Sequence, residues 1–148
     1  MSFPLAEKAF KKRLAFVESK PEQSNCIGTA LFLTGVLWFD YYIPTWHTSN
    51  FFSKHFEYLG KIYGPLWQTN PLQLLSLLQP GIVLGISSDP DKRGNLFPEL
   101  NHVVLSHPYQ PSTLIHRNGY QQPAGIVKIK EVAKSYKGLQ HAFLYRRK

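Results

Sequence analysis

The stretch NCIGTALFL, residues 25–33, opens the most apolar part of the chain and contains its only cysteine, Cys26. Asn25, or Ser24 before it, is a typical N-cap residue for a helix. From Cys26 to about Phe39 the chain has almost no polar residue, and a helix that is apolar on all sides is a central, buried one. The sequence therefore predicts a buried core helix with a thiol in its first turn.

This thiol has two interpretations. Free cysteine is among the most buried residue types, so Cys26 is on its own a candidate for a small apolar core residue. A cysteine at the start of a helix instead lies in a positive field, which lowers the thiol pKa and makes the sulfur a nucleophile. A single cysteine excludes an internal disulfide and a zinc site built from several cysteines. The choice depends on which side chains from the rest of the chain meet Cys26.

Helices are predicted on both sides of this core segment. Residues 4–18 have an amphipathic helical pattern in which charges interrupt every apolar run, unlike a secretory signal. We therefore expect no cleaved signal peptide, and a protein that is cytoplasmic or exported by a signal-independent route, as secretion-system effectors and phage-type lysis enzymes are. A helix from Ser49 or Asn50 to Leu59, and another starting at Pro71, predict a helical insertion at about 48–78.

The second half of the chain has the texture of strands and turns. Short runs rich in β-branched residues are separated by Pro, Gly, Asn and Asp: IVLGI at 82–86, HVVLS at 102–106, TLIHR at 113–117, GIVKI at 125–129 and HAFLYRR at 141–147. KEVAKSYKG, 130–138, is predicted as a short helix. Helices followed by antiparallel strands form the α+β pattern, and 148 residues suit a single domain, 1–148.

A catalytic cysteine needs a general base and a third group that orients that base. His102 opens the predicted strand HVVLS, and His116 ends the next strand-like run. Two antiparallel strands joined by the turn HPYQPS bring these histidines side by side, and a strand packed on the start of the Cys26 helix would bring in the thiol. A turn residue is the alternative for His116, with Asn118 or Gln121 then orienting the base.

Four segments in series carry a resemblance to a known family. NCIGTALFL resembles the D-C-S-G motif and helix of the NlpC-type cell-wall cysteine peptidases, which belong to the papain-like class. LQPGIVLGI resembles that family's Leu-x-Pro-Gly-Asp-Leu strand, NHVVLSHP its His-Val-Gly-Ile-Tyr strand, and TLIHRNG the segment of its third catalytic residue. The chain departs from the family at Asn25, Ile27 and Ile82, where the family has aspartate, serine and aspartate.

The resemblance implies an α+β, papain-like fold in which N-terminal helices, including the nucleophile helix, pack on a small antiparallel sheet. It implies a Cys-His-His amide hydrolase that acts through an acyl-enzyme and uses no cofactor or metal, with Cys26 as nucleophile, His102 as general base and His116 orienting it. The residues predicted to bind substrate around them are Asn25, Gly28, Asn101, Trp46 and Trp67.

The formal net charge of +8 would attract nucleic acid, anionic lipid or an acidic cell-wall polymer, and charge alone does not indicate which. The alternative is that the basic residues form solvated faces that only keep the protein soluble. By the resemblance, the partner is the peptide part of peptidoglycan, and an inhibitor or immunity protein would be a further partner of an effector of this kind. Two alternatives remain open: a deamidase or acyltransferase with the same machinery, and a non-enzymatic basic module that binds nucleic acid or anionic lipid. No nucleic-acid partner and no membrane span are expected from the enzymatic interpretation, and His47 and His55 lack the spacing of a zinc site.

Overall fold

The computed structural model describes residues 3–19, 24–63, 69–88, 94–117, 122–136 and 141–148. These residues form an α+β fold around one antiparallel sheet. The helices are α1 (Glu7–Ser19), α2 (Cys26–Leu33), α3 (Thr48–His55), α4 (Pro71–Leu77) and α5 (Ile129–Ser135), with a 3₁₀ turn at Thr45–His47 before α3. The strands are β1 (Phe56–Tyr63), β2 (Ile82–Ser87), β3 (His102–Ser106), β4 (Leu114–Arg117), β5 (Ala124–Val127) and β6 (His141–Arg147).

The sheet has the strand order β1-β6-β2-β3-β4-β5, and each pair of neighbours is antiparallel. One face packs on α1, α2 and α3, and the other face packs on α4 and α5. In β3 the alternation of side chains sends Val103 to the α2 side and Val104 to the α5 side. The α+β prediction is confirmed, as are the strands at 82–86, 102–106 and 141–147.

The helix α2 ends earlier than predicted. Its last helical residue is Leu33, and Gly35 takes a positive φ of 80°, a backbone conformation that suits glycine and stops the helix. Arg13 donates to the carbonyl oxygens of Phe32 and Leu37, at 2.7 and 2.9 Å, which satisfies backbone groups released at this end. The apolar residues up to Phe39 therefore follow the helix as a turn.

The segment predicted as a helical insertion contains a strand. The helix expected from Ser49 or Asn50 to Leu59 ends at His55, and residues 56–63 form β1, which pairs with β6 at the edge of the sheet. A register shift between Tyr58 and Gly60 places Tyr58 opposite Tyr145 but Lys61 opposite Phe143. The residues that face one side of the sheet thus change from even to odd numbers along β1. The sequence of this strand therefore does not show a regular alternation with a period of two.

Candidate active site

The side chain of Asn25 fixes the start of α2. Its Oδ1 accepts hydrogen bonds from the backbone N–H of Gly28 at 3.0 Å and of Ile43 at 3.2 Å. Its Nδ2 donates to the Ile43 carbonyl at 2.8 Å. Asn25 is thus the predicted N-cap and also holds the extended segment around Ile43 along the helix. Its described contacts are internal to the chain, whereas the sequence predicts a substrate contact.

The segment around Tyr41 and Ile43 also leaves no room for a side chain at Gly28. A Cβ atom on Gly28 would lie 1.8 Å from the Tyr41 carbonyl oxygen and 2.8 Å from the Ser24 hydroxyl. The sequence predicts that a substrate strand approaches the helix at this glycine. In the structure the backbone that approaches it is the chain's own, at Tyr41, so the predicted opening over Gly28 is already filled.

Cys26 is the first residue of α2, and only 6% of its surface is exposed. Backbone N–H groups of Val103, Ile27 and Cys26 itself favour its thiolate, but burial outweighs them and raises the thiol pKa from 9.0 to about 11. The prediction that the helix start lowers this pKa is therefore wrong for the free protein. The thiol is protonated at neutral pH, with hydrogen-bond donors already directed at its sulfur.

The contact with Val103 links the thiol to the strand that carries His102. The β3–β4 ladder joins only Leu105 to Ile115 and Ser106 to Leu114, and the Val103 N–H lies beyond these pairs. The backbone N–H of Val103, the residue that follows His102, favours the thiolate of Cys26. Among the described residues, no hydrogen bond joins the thiol directly to the His102 ring.

The two predicted histidines are in direct contact. The Nε2 atom of His102 lies 3.0 Å from the Nδ1 atom of His116, and the two rings are nearly perpendicular, at 88°. His102 is the first residue of β3 and His116 lies near the end of β4, so the two residues are at the same end of this strand pair. Their ring contact joins the two strands beyond the backbone pairs of the β3–β4 ladder. The contact uses Nε2 of His102 and leaves its Nδ1 without a hydrogen-bond partner in the part of the chain that is described.

Both imidazoles are held in the neutral form. Burial lowers the pKa of His102 to about 3, and the neighbouring His116 lowers it further in the same direction. Burial also lowers the pKa of His116, against the opposing effect of the Glu131 carboxylate. At neutral pH one ring therefore donates a proton across the 3.0 Å contact and the other accepts it. This arrangement can fix the tautomer and the orientation of His102.

Tyr136 is a member of the site that the sequence analysis missed. It follows α5, and its ring stacks on His102 with the centroids 3.9 Å apart and the planes inclined by 15°. Burial, and then the charge of the Cys26 thiolate, raise the pKa of Tyr136 to about 12, so its hydroxyl lies within electrostatic range of Cys26. No motif in the sequence indicates this contact, since KEVAKSYKG predicts only a short helix.

Two of the other predicted site residues, Asn101 and Trp46, lie in described parts of the chain. The Asn101 backbone N–H donates to the Ile86 carbonyl at 2.8 Å, and its Oδ1 accepts from the Ser88 backbone N–H at 3.0 Å. Trp46 lies in the 3₁₀ turn and is 69% exposed. Trp67, and the alternative orienting residues Asn118 and Gln121, lie outside the described residues.

Three further observations bear on the class of protein. No protein-family model, curated protein or solved structure matches the chain. Within the described residues, no group of three or more His, Cys, Asp or Glu side chains is arranged to hold a metal ion. No helix in these residues is both long and apolar enough to cross a membrane. The geometry around Cys26 and the histidine pair carries the functional assignment.

Proposed function

We propose that the protein is a cysteine hydrolase that cleaves amide bonds, with Cys26 as nucleophile, His102 as general base and His116 as the residue that orients His102. The observation that carries this proposal is the 3.0 Å contact between His102 Nε2 and His116 Nδ1. Val103, the residue next to His102, has a backbone N–H that favours the thiolate of Cys26 at the N-terminus of α2. A nucleophile, a base and an orienting group are the three parts that acyl-transfer catalysis needs. A papain-like fold belongs to the same proposal.

The catalytic steps use Nδ1 of His102, which has no hydrogen-bond partner among the described residues. The thiol proton moves to Nδ1 as the sulfur attacks the substrate carbonyl carbon, and the resulting oxyanion accepts hydrogen bonds from backbone N–H groups in the first turn of α2. The His102 imidazolium then protonates the leaving amine, and a thioester remains on Cys26. A water molecule, deprotonated by His102, attacks the thioester and releases the carboxylic acid product, which restores the thiol.

Burial makes this a site that is uncharged at rest. The thiol pKa is raised to about 11 and the His102 pKa is lowered to about 3, so both groups are neutral before substrate binds. Catalytic hydrogen bonds are often long or misaligned without substrate and tighten in the complex. Proton transfer from Cys26 to His102 therefore belongs to the substrate complex.

The substrate class proposed is the peptide part of peptidoglycan. Four segments that resemble the NlpC-type peptidases support it, and the net charge of +8 suits an anionic wall polymer. Deamidation and acyl transfer would use the same thiol and histidines, and differ only in the leaving group or in the acceptor that replaces water.

The test is incubation of the protein with purified peptidoglycan, followed by mass spectrometry of the released muropeptides. We expect release by the wild type and none by Cys26→Ala. His102→Gln should lower the rate by about 10²-fold or more, since general-base catalysis typically contributes 10²–10⁴-fold. His107→Gln is the matched control, because His107 is a buried histidine whose Nδ1 accepts the Tyr109 N–H on the α1 side of the molecule.

The products distinguish the possible reactions of the same site. A peptidase creates a new amino terminus, a deamidase releases ammonia, and an acyltransferase gives a product joined to the acceptor. Circular dichroism of each variant shows whether it is folded. Equal release of muropeptides by the wild type and folded Cys26→Ala would refute the assignment of Cys26 as the nucleophile.

A further inference from the structure

The segment after α2 exposes large aromatic side chains. Trp38 is 84% exposed and Phe39 is 74% exposed, and they follow directly on the turn that ends the helix. Phe16, on the outer side of α1, is 47% exposed, and its ring lies 6.0 Å from that of Phe32. Soluble proteins rarely expose apolar residues in contiguous patches, and such a patch usually marks an interaction surface. We name Phe16, Trp38 and Phe39 the aromatic patch.

A groove of about 540 Å³ runs along the aromatic patch between α1 and the turn after α2. Its walls include Ala9, Ala15, Phe16, Phe32 and Trp38, and they are mostly apolar. An adjoining groove of about 350 Å³ shares Phe16 and Trp38 and reaches Phe39. The aromatic patch thus borders a surface that accepts an apolar chain.

Basic residues lie near the aromatic patch. Lys12 lines the larger groove, and Arg13 caps the end of α2 beside it. At the same end of α2, Arg147 donates to the Thr34 carbonyl at 3.1 Å and to the His55 carbonyl at 3.3 Å. The Lys148 backbone N–H also donates to the His55 carbonyl, at 3.0 Å, so the basic carboxyl-terminal residues lie at this end of the molecule.

The acidic residues near this surface do not offset that charge. Asp40, which borders the smaller groove, is paired with the buried Arg117 at 2.9 Å. Glu7 pairs with Lys11 at 2.7 Å, and helical spacing places Glu7 on the side of α1 opposite to Phe16. The end of the molecule that carries the aromatic patch is therefore positively charged as well as apolar.

We propose that the aromatic patch, with Lys12 and Lys148 beside it, docks the protein on the surface of an anionic lipid bilayer. Exposed Trp and Phe side chains partition into the headgroup region, and nearby Lys and Arg side chains are attracted to anionic lipids. The apolar walls of the groove favour an acyl chain over a nucleic-acid backbone, which needs a groove lined with cations along its length. This docking is independent of the chemistry at Cys26.

The test is co-sedimentation of the full chain with vesicles of phosphatidylcholine alone and with vesicles rich in phosphatidylserine. We expect binding to the phosphatidylserine vesicles that Trp38→Ser/Phe39→Ser weakens by about tenfold or more. The matched control is Leu72→Ser/Leu77→Ser, which removes two exposed apolar side chains, 57% and 50% exposed, from α4 on the other side of the sheet. That control should bind as the wild type does.

A second pair of variants shows whether vesicle binding depends on the basic residues near the aromatic patch or only on the net charge of the protein. Lys12→Glu/Lys148→Glu should weaken binding, whereas Lys128→Glu/Lys130→Glu, with the same change in net charge beside α5, should not. Equal loss in both pairs, or unchanged binding by Trp38→Ser/Phe39→Ser, overturns the proposal. A single-stranded oligonucleotide is tested at the same salt concentration. Binding of that oligonucleotide, but not of the vesicles, through the aromatic patch also overturns it and assigns the surface to nucleic acid.

Discussion

At the scale of single residues, Cys26 shows how burial and a helix N-terminus oppose each other. Three backbone N–H groups favour the thiolate, yet the pKa of the thiol rises from 9.0 to about 11 because the sulfur is out of contact with water. The position of the cysteine in the sequence predicts only the effect of the helix N-terminus, which lowers the thiol pKa. The opposing effect is burial, which raises this pKa. It depends on how completely the strands and the Ile43 segment cover the start of the helix, and the sequence does not show this.

This balance predicts slow alkylation of Cys26. A pKa about two units above 9.0 leaves about 100-fold less thiolate near pH 8, and burial of the sulfur slows the reaction further. We expect iodoacetamide to label the native protein at least 100-fold more slowly than the same protein unfolded in urea. The folded His102→Gln variant should react with iodoacetamide as slowly as the folded wild type, because the Cys26 thiol of the free protein is not paired with an imidazolium. Labelling of the native protein as fast as the unfolded chain would contradict a buried, neutral thiol.

Gly28 makes the second prediction at this scale. In Gly28→Ala the new Cβ would lie 1.8 Å from the Tyr41 carbonyl oxygen, and a backbone atom cannot move away as a flexible side chain does. We expect a loss of about 3 kcal/mol or more in the free energy of unfolding, measured by urea denaturation. Gly125→Ala is the control, since a Cβ there has no neighbour within 4 Å and should change stability by less than about 1 kcal/mol. Equal losses in the two variants would show that the Tyr41 segment yields easily.

At the scale of elements, one buried ion pair ties four parts of the fold together. Arg117, on β4, donates to Asp40 at 2.9 Å, to the Thr29 hydroxyl on α2 at 2.9 Å and to the Val17 carbonyl on α1 at 3.2 Å. The two charged side chains are 0% and 2% exposed. Because Arg117 is adjacent to His116, this network also fixes the strand that carries His116, the proposed orienting residue.

Removing one partner of this pair leaves an uncompensated buried charge. We expect Asp40→Ala to lower the free energy of unfolding by about 3–5 kcal/mol. Replacement of both partners, in Asp40→Ala/Arg117→Met, should recover part of that loss, because no charge is then buried alone. The control is Glu57→Ala, which removes the partner of Arg146 from an ion pair of 3.4 Å whose side chains are about half exposed, and it should cost less than about 1 kcal/mol. If Asp40→Ala costs no more than Glu57→Ala, the buried network contributes little.

The same network shows what the sequence can and cannot predict. The strands β2, β3 and β6 were predictable because each is a short β-branched or aromatic run bounded by turn residues. The contact of His102 with His116 followed from the hairpin that joins β3 and β4. The pairing of Arg117 with Asp40 did not, since it joins residues 77 positions apart that share no motif.

Two errors of prediction also have physical causes at this scale. The sequence predicts a helix up to Leu59, through the first half of β1, because the register shift in this strand removes the regular alternation that indicates a strand. The stacking of Tyr136 on His102 was missed because it depends on where α5 packs, and no local pattern specifies that position. Both features arise from the tertiary arrangement of elements whose types are themselves simple.

At the scale of the whole molecule, covering both faces of the sheet creates the site and also keeps it neutral. The helices α1, α2 and α3 bury one face, and α4 and α5 bury the other, so that Cys26 and His102 are both removed from water. Folding therefore excludes the charged form of His102, whose pKa falls from 6.5 to about 3. The stability of the entire fold must then depend on pH through this residue.

The sign of this dependence follows from proton binding. Below pH 6.5 the unfolded chain binds a proton at His102 that the folded protein does not bind, so the free energy of unfolding falls as the pH falls from 6.5 towards about 3. The expected slope is about 1.4 kcal/mol per pH unit for each such group, and His116, whose pKa is also lowered, adds to it. Urea denaturation at a series of pH values below about 6.5 measures the slope. In His102→Gln the slope should be smaller by the contribution of one titrating group, about 1.4 kcal/mol per pH unit, whatever the stability of the variant at neutral pH. A slope that is the same in His102→Gln and in the wild type would mean that the imidazole of His102 is protonated as easily in the folded protein as in the unfolded chain, and the neutral histidine pair would then be wrong.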